Sequence, residues 1–410
     1  MTSPGLKELR DVAQADVYVG DDLVARLTRT RDEGIRFDYL DDSGASAGPV
    51  RGRSVAWSLL RSADHPVSTK SAAVPPFFAG LLPEGDRLSA VAAATGTSAG
   101  DHLTLLLAVG ADTVGNVRVV AAGTTPAASQ PLFDPDRDDD FRAVFDRVVV
   151  GVDPTALAGN QPKVSARMPS APGHGPGGPA ILKLNPQRYP RLVENEQFFM
   201  TMAAACGIRA AQTSLIQDTA GRSALLIERF DRVGHARIAQ EDACQVAAMY
   251  PASKYRITTE TALLTLADAC ARGGGSRIVT LAELFKTVVF AWLIGNGELH
   301  GKNLSIHHAD GLWQPTPAYD LLCTQVYTGW NDPMALTFFG RASMLSRTSF
   351  IDSGQRLGIR KRAVLAMIDE IVDGAGAWPD RCEWIGFDDR QTATLTRWLR
   401  SRIKRLKGGR

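Results

Sequence analysis

The stretch Leu293-Ile294-Gly295-Asn296-Gly297-Glu298-Leu299-His300-Gly301-Lys302-Asn303-Leu304-Ser305-Ile306 constrains this chain more than any other. An apolar run with helical spacing, Leu281–Ile294, stops at a glycine, and a compact polar loop follows. A short apolar run then turns back at Asp310-Gly311, a pair suited to a tight hairpin. A helix, a loop crowded with Glu, His, Lys and Asn, and a hairpin are therefore expected in that order. One more acid, Asp320, comes after the hairpin in Thr316-Pro317-Ala318-Tyr319-Asp320-Leu321-Leu322.

The rest of the chain has to support that segment. At 410 residues it is long enough for two to three domains. With 44% hydrophobic and 22% charged residues it has the make-up of a globular protein, not of a disordered or disulfide-built one. Lys and Arg (46) nearly balance Asp and Glu (44), leaving +2, so overall charge does not mark a nucleic-acid binder. Cys206, Cys244, Cys270, Cys323 and Cys382 are scattered without a C-x-x-C pair, as expected of reduced, buried thiols in a cytoplasmic protein. The opening MTSPGLKELRDVAQADV lacks the apolar core of a signal peptide, and Thr287–Gly295 is too short to cross a bilayer, so no membrane association is expected.

Read along its length, the chain is β-rich first and helical later. Asp16–Gly20, Leu23–Arg29 and Ile35–Leu40 alternate as strands, with Asp21-Asp22 as the first turn, and small-residue helical material reaches about residue 111. Gly123–Asp140 has the composition of a linker. Beyond Phe141, Val164–Met168 and Ala180–Leu184 read as paired strands around Pro169–Pro179, a Gly/Pro-rich tip without regular structure. Glu194–Cys206 has helical periodicity and stops at Gly207, and Ser223–Glu228 is strand-like. Glu260–Arg272, Leu281–Ile294, Lys361–Gly374 and Arg390–Lys407 are predicted helices. The expected class is α+β, a two-lobed body with a β-rich N-terminal subdomain (1–125), a small lobe (141–232) and a mainly helical C-terminal lobe (233–410).

Phosphoryl transfer needs a carboxylate beside the attacking hydroxyl and oxygen ligands for Mg²⁺ on the nucleotide phosphates. A protein-kinase catalytic loop supplies a base carboxylate and, five residues on, an Asn ligand. Glu298 to Asn303 has that spacing, Asp320 stands where the second metal ligand belongs, and Lys302 can offset phosphate charge. Upstream, Lys183 in Ile181-Leu182-Lys183-Leu184 and Glu196 on the next helix form a candidate phosphate-orienting pair. Ala158-Gly159-Asn160-Gln161-Pro162-Lys163 is a candidate phosphate loop, although its single glycine fails the G-x-G-x-x-G pattern.

Together with Leu192-Val193-Glu194-Asn195-Glu196, Ile227-Glu228-Arg229-Phe230-Asp231-Arg232, Gln240–Gln245 and Phe77–Gly85, these blocks resemble, in order, the HipA family of toxin serine/threonine kinases. The resemblance implies a two-lobed protein-kinase-like fold and the use of ATP and Mg²⁺. It implies phosphate contacts from Gly159, Asn160, Gln161, Lys163 and Lys183, with Glu196 beside the lysine and an adenine-side hinge at Glu228 and Phe230. It also implies metal ligation by Asn303 and Asp320, and catalytic-loop positions for Glu298, His300 and Lys302. The implied partners are a helix-turn-helix antitoxin (HipB-like), operator DNA reached through it, and a protein target such as an aminoacyl-tRNA synthetase.

Two departures stand out. Glu298 replaces the family aspartate and is one methylene longer, and a displacement of about 1 Å can cost about 10²-fold in rate. Ala156 stands where some members carry an autophosphorylated serine, with Thr155 adjacent. These leave open a second reading, a weak or inactive HipA-like module that works in antitoxin binding and transcriptional co-repression. A small-molecule kinase of the aminoglycoside phosphotransferase type shares the loop logic but not the N-terminal blocks. Simpler readings also stand: Lys183 as a snorkelling strand residue, Glu196 as an exposed helix residue, His300 as a loop-holding hydrogen bonder. His307 and His308 fall on opposite strand faces, so they make no metal pair. The basic tail Arg397–Lys407 is expected to pack as a helix through Trp398, Leu399, Ile403 and Leu406, with DNA-phosphate contact as the sharper alternative.

Overall fold

The computed structural model describes residues 5–40, 54–61, 65–126, 133–134, 140–144, 170–234 and 236–408. The phosphate-loop candidates Gly159, Asn160, Gln161 and Lys163, with Thr155, Ala156 and the expected strand Val164–Met168, lie outside these residues. Two compact units emerge, one from residues within Met1–Gln130 and Asp231–Ser253, the other from Pro131–Phe145, Gln161–Phe230 and Lys254–Arg410.

The first unit is built on an antiparallel sheet in the order β4-β3-β2-β1-β5: β1 Gln14–Val19, β2 Asp22–Arg29, β3 Ile35–Tyr39, β4 Val67–Thr69 and β5 Val117–Ala121. The first turn is Gly20-Asp21 instead of Asp21-Asp22, because Gly20 takes φ 64°, the left-handed conformation a tight turn needs. Val67–Thr69 and Val117–Ala121 have no counterpart among the expected strands. Helices Pro76–Gly80, Gly85–Thr95 and His102–Val109 belong to the same unit, and one apolar cluster joins Val17, Leu27, Phe37, Phe78 and Leu106. Residues 231–253 are tied into it: the Asp231 carboxylate accepts from Gly115 N (2.9 Å), Arg232 Nη2 donates to Asp112 (2.9 Å), and Gln245 Nε2 donates to Phe77 O (3.0 Å).

The second unit opens with an antiparallel sheet in the order β6-β7-β9-β8: β6 Ser170–Gly175, β7 Gly178–Leu184, β8 Thr213–Gln217 and β9 Ser223–Glu228. This corrects the expectation of an irregular tip at Pro169–Pro179. Ser170–Gly175 is a strand, with Pro172 opposite Ile181 and Ser170 opposite Lys183. The prolines are tolerated because β6 is an edge strand, where a missing N–H breaks no inner ladder, and Gly178 turns the chain at φ 117°. Phe133, inside the expected linker, is fully buried, bridges to Gly173 and packs edge-on to Phe141 (5.8 Å).

The helix Leu192–Ala205 packs on β8 and β9. After it come helices Thr259–Arg272, Arg277–Ile294, Arg347–Arg356, Lys361–Ala375 and Asp389–Lys407. Each predicted helix is present, extended by a residue or more where a capping side chain lies upstream: Thr258 accepts from Thr261 N, Ser276 from Val279 N and Asp388 from Gln391 N. Arg277–Ile294 is the inner helix: Val288 to Ile294 are all buried, and Trp292 meets Phe350 at 5.4 Å. Gly295 ends it in the left-handed conformation (φ 72°), and the hairpin Ser305–Ala309/Leu312–Pro315 turns at Asp310-Gly311. His307 is buried and His308 exposed, and all five cysteines are free and buried.

Candidate active site

Strand β7 presents Ala180 and Leu182 to the interior, so Lys183 falls on the opposite face. The helix Leu192–Ala205 uses three consecutive polar residues in three different ways. Glu194 accepts from Asn185 Nδ2 (2.9 Å), Asn195 brackets Cys323 by donating to its carbonyl (2.9 Å) and accepting from its N–H (3.0 Å), and Glu196 turns to Lys183. Lys183 Nζ lies 2.8 Å from Glu196 Oε1 and 3.1 Å from Oε2, and it also donates to Asp320 Oδ1. Lys183 and Asp320, 137 residues apart in sequence, thus meet beside Glu196.

Burial opposes the charge of Lys183, but the carboxylates of Asp320 and Glu196 outweigh it and hold the ammonium above its ordinary pKa. The two acids around that cation are shifted in opposite directions. Glu196, with no exposed side-chain surface, is pushed up to about 7 by burial, reinforced by Asp320, although Lys183 pulls it down. Asp320 is only partly buried, with a quarter of its side chain exposed, and Lys183 holds it below the usual carboxylate range. Its backbone sits at φ 54°, a conformation Asp tolerates better than most residues.

The loop after Arg277–Ile294 is held mostly by hydrogen bonds between neutral groups. Asn296 joins it to the acid after the hairpin: its Oδ1 accepts from Glu298 N (2.8 Å) and its Nδ2 donates to Asp320 O (2.9 Å). Gly297 N donates to Thr324 Oγ1 (2.9 Å). Asn303 N donates to His300 O (2.9 Å), while Asn303 Nδ2 donates to Glu298 O (3.0 Å) and closes the turn. Tyr319 Oη donates to Lys302 O (2.7 Å). Outside the loop, Gly301 N donates to Lys254 O (3.0 Å), and Tyr255 Oη donates to Glu298 Oε2 (3.0 Å). The Tyr255 ring also meets His300 edge-on (5.1 Å).

His300 is pushed down to about 3, first by burial and then by Lys254 and Lys302, so its imidazole is neutral at ordinary pH. Phe230 leans on Tyr319 (5.9 Å) and meets His307 edge-on (6.0 Å), next to the residue that precedes Asp320. Glu228 ends β9 as an exposed residue against Gly177, where a Cβ would come within 2.4 Å of its Oε1.

Two clusters therefore form from the sequence-derived candidates: Lys183 with Glu196 and Asp320, and Glu298 with His300, Lys302 and Asn303. Asn296 links them. Four residues that hold the site were not among the candidates. Asn195 and Tyr319 sat inside conspicuous blocks, and Asn296 was inside the loop itself. Tyr255 carries no local signal, because only folding brings it to Glu298.

A Mg²⁺ ion asks for hard oxygen donors in few-ligand sites that keep water. Asp320 offers a carboxylate, and Asn303 offers Oδ1, its side-chain hydrogen bond among the described residues running through Nδ2. That donor set fits the ion.

A two-lobed, kinase-like α+β fold is the class that the sheet, the helical lobe and this polar centre define. Within that class the chain belongs to the HipA family: residues 155–378 match the HipA-like C-terminal domain and residues 15–120 the HipA N-terminal domain. It is 28% identical to "Putative kinase Y4mE" of Sinorhizobium fredii, covering 86% of this chain and 88% of that one, and 30% identical to "Putative kinase Y4dM" of the same organism, covering 73% and 75%. It is 26% identical to the serine/threonine-protein kinase toxin HipA of Shewanella oneidensis over 63% of this chain and 65% of that one. The solved Shewanella oneidensis HipA, HipB and operator DNA complex contains a chain of the same fold (TM-score 0.73, 20% identity, covering 95% of this chain and 97% of that one). No helix of the described residues is long and apolar enough to cross a membrane.

Proposed function

We propose that this chain is an ATP- and Mg²⁺-dependent serine/threonine protein kinase, the toxin of a cytoplasmic toxin–antitoxin pair. The observation that carries the reading is the convergence of Lys183, Glu196 and Asp320 on one ammonium, beside a loop that bears Glu298 and Asn303. In this reading Glu196 aims Lys183 at the nucleotide phosphates, and Gly159, Asn160, Gln161 and Lys163 cover them. Phe230 and Glu228 flank the adenine. Asp320 and Asn303 Oδ1 would hold Mg²⁺, which when bound offsets charge on the transferred phosphoryl group. The Glu298 carboxylate orients the acceptor hydroxyl and takes its proton as the new P–O bond forms and the bond to the nucleoside diphosphate breaks. Lys302 offsets charge that develops in between. Neutral His300 holds the loop's shape.

The DNA-bound HipA–HipB assembly of the Shewanella relative supports a helix-turn-helix antitoxin as partner here, with operator DNA reached through it. The family resemblance adds an aminoacyl-tRNA synthetase as target. One observation favours the second reading, a HipA-like module without transfer: Glu298 stands where the family has aspartate. Against it, Tyr255 meets the Glu298 carboxylate at 3.0 Å, an anchor that a side chain one methylene shorter would not reach without movement of the loop. Transfer from γ-labelled ATP to a lysate protein decides between the two. The kinase reading expects label in the wild type and none in Asp320→Ala. Nucleotide binding without transfer, rescued by Glu298→Asp, would establish the module.

A further inference from the structure

Within the second unit, a cavity of about 450 Å³ lies between the C-terminal helix Asp389–Lys407 and the segment that follows Asp320. Trp330, Trp398, Met344, Arg402 and Arg405 line it, and the two indole rings stand 5.7 Å apart. Arg402 is unusual for a half-buried cation. Its Cζ lies 4.2 Å from the Trp292 ring centre and 4.5 Å from that of Trp398, so aromatic faces hold the guanidinium. No carboxylate among the described residues is within ion-pair distance of it. The acid that shares the cavity, Asp332, accepts from Thr328 Oγ1 instead (2.9 Å). Arg118, Arg232 and Arg237, also largely enclosed, each meet an Asp at 2.6 to 2.9 Å.

An enclosed cation without a counter-ion is costly, and here burial and the neighbouring Arg405 push Arg402 down to about 10. A stacked guanidinium keeps its N–H edge for paired oxygens, and Arg405 adds a second fork one helical turn on. The volume falls in the range of small-molecule sites. The two arginines disfavour a cation, and the cavity's Asn, Gln and Ser side chains disfavour a wholly apolar guest.

We infer that this cavity is a binding site for a small organic anion, a carboxylate or phosphate monoester on a flat apolar body, with Arg402 and Arg405 taking the oxygens and Trp330 and Trp398 the body. The cavity reaches Asn296 at the start of the catalytic loop, but none of Lys183, Glu196, Glu298, Asn303 or Asp320 lines it, and its test does not depend on phosphoryl transfer.

Calorimetric titration of the full chain with phenyl phosphate and with indole-3-carboxylate tests it, with inorganic phosphate and benzamide as controls. Both aromatic anions should bind at about millimolar Kd or tighter. Arg402→Gln and Arg405→Gln should each weaken binding about tenfold, the scale of a charged hydrogen bond. The exposed Arg362→Gln, on another helix, should change nothing. If Arg402→Gln fails to fold, the exposed Arg405→Gln carries the test alone. No binding by either anion, equal binding by benzamide or inorganic phosphate, or unchanged affinity in Arg405→Gln would each overturn the proposal.

Discussion

The two halves of the candidate site are held by different physics. Around Lys183 the contacts are ionic, buried and drawn from three distant elements: strand β7, the helix Leu192–Ala205 and the segment after the hairpin. Around Glu298 they are mostly bonds between neutral amides, carbonyls and a phenol, supplied by the loop itself and by Lys254, Tyr255, Thr324 and Tyr319. The first half stores electrostatic energy that responds to charge and pH. The second mainly fixes geometry, although His300, held down to about 3, gives it a pH term of its own below its unfolded value of 6.5. A phosphoryl-transfer centre needs both, because it must neutralise a polyanion and also place an acceptor oxygen within tenths of an ångström.

Removing the shared cation should have the largest effect. Lys183→Met leaves Asp320 and Glu196 facing each other in a buried site. Near pH 8 it should lower stability by about 3 kcal/mol, the cost of breaking a buried ion pair. Transfer should fall about 10³-fold, as when a preorganised charge-stabilising group is lost. The melting deficit should shrink toward pH 6, where Glu196 holds a proton. A variant that melts like the wild type at both pH values would show that the cluster is not electrostatically coupled. Asp320→Asn comes next. It should also abolish transfer, but with a small change in melting temperature, because Lys183 keeps Glu196 and the repulsion between the acids is gone. An unfolded Asp320→Asn protein would contradict that division of labour.

These clusters also mark what a sequence can disclose. The loop was legible because its contacts are local: five residues separate Glu298 from Asn303, and a helix stop and a hairpin turn bracket them. The helices were legible from periodicity and glycine stops. The β6 strand was hidden because Pro172 and its neighbouring glycines signal irregularity, and only an edge position makes them acceptable. Lys183 and Glu196 could be proposed as a pair and Asp320 as a metal ligand, but the meeting of all three at one ammonium depends on folding, which spacing does not encode. Tyr255 was invisible for the same reason, being 43 residues from the carboxylate it holds.

Tyr255 offers the sharper test of the neutral half. Tyr255→Phe removes one hydrogen bond to Glu298 and little volume. It should lower kcat about tenfold, as expected for a single bond to a charged group, and leave the KM for ATP within about twofold. Steady-state kinetics at varied ATP separate these terms. A raised KM with unchanged kcat would move Tyr255 out of the acceptor side of the site.

The smallest expected effect is a pH dependence of stability that Glu196 sets in the ionic half, with His300 adding the opposite slope below its unfolded value of 6.5. The folded pKa of Glu196, about 7, lies above its unfolded value of 4.5, so between those limits the folded chain holds a proton that the unfolded chain has lost. Stability from this group is complete below the unfolded value and falls as pH rises toward 7, at up to about 1.4 kcal/mol per pH unit. Asp320, held low, has the opposite sign, and its contribution is lost only as pH drops into the acid range. Glu241 in the first unit, pushed up to about 8 by burial, adds a slope of the same sign as Glu196, so the wild-type curve alone does not isolate the cluster. Glu196→Gln does. Chemical denaturation at pH 5.5, 6.5 and 7.5 should give a gap between wild type and Glu196→Gln that changes steadily with pH in favour of the variant, while Tyr255→Phe runs parallel to wild type throughout. If the two variants follow the same slope, Glu196 is ionised in the folded chain at every pH tested, and the cluster would carry two full negative charges around one ammonium.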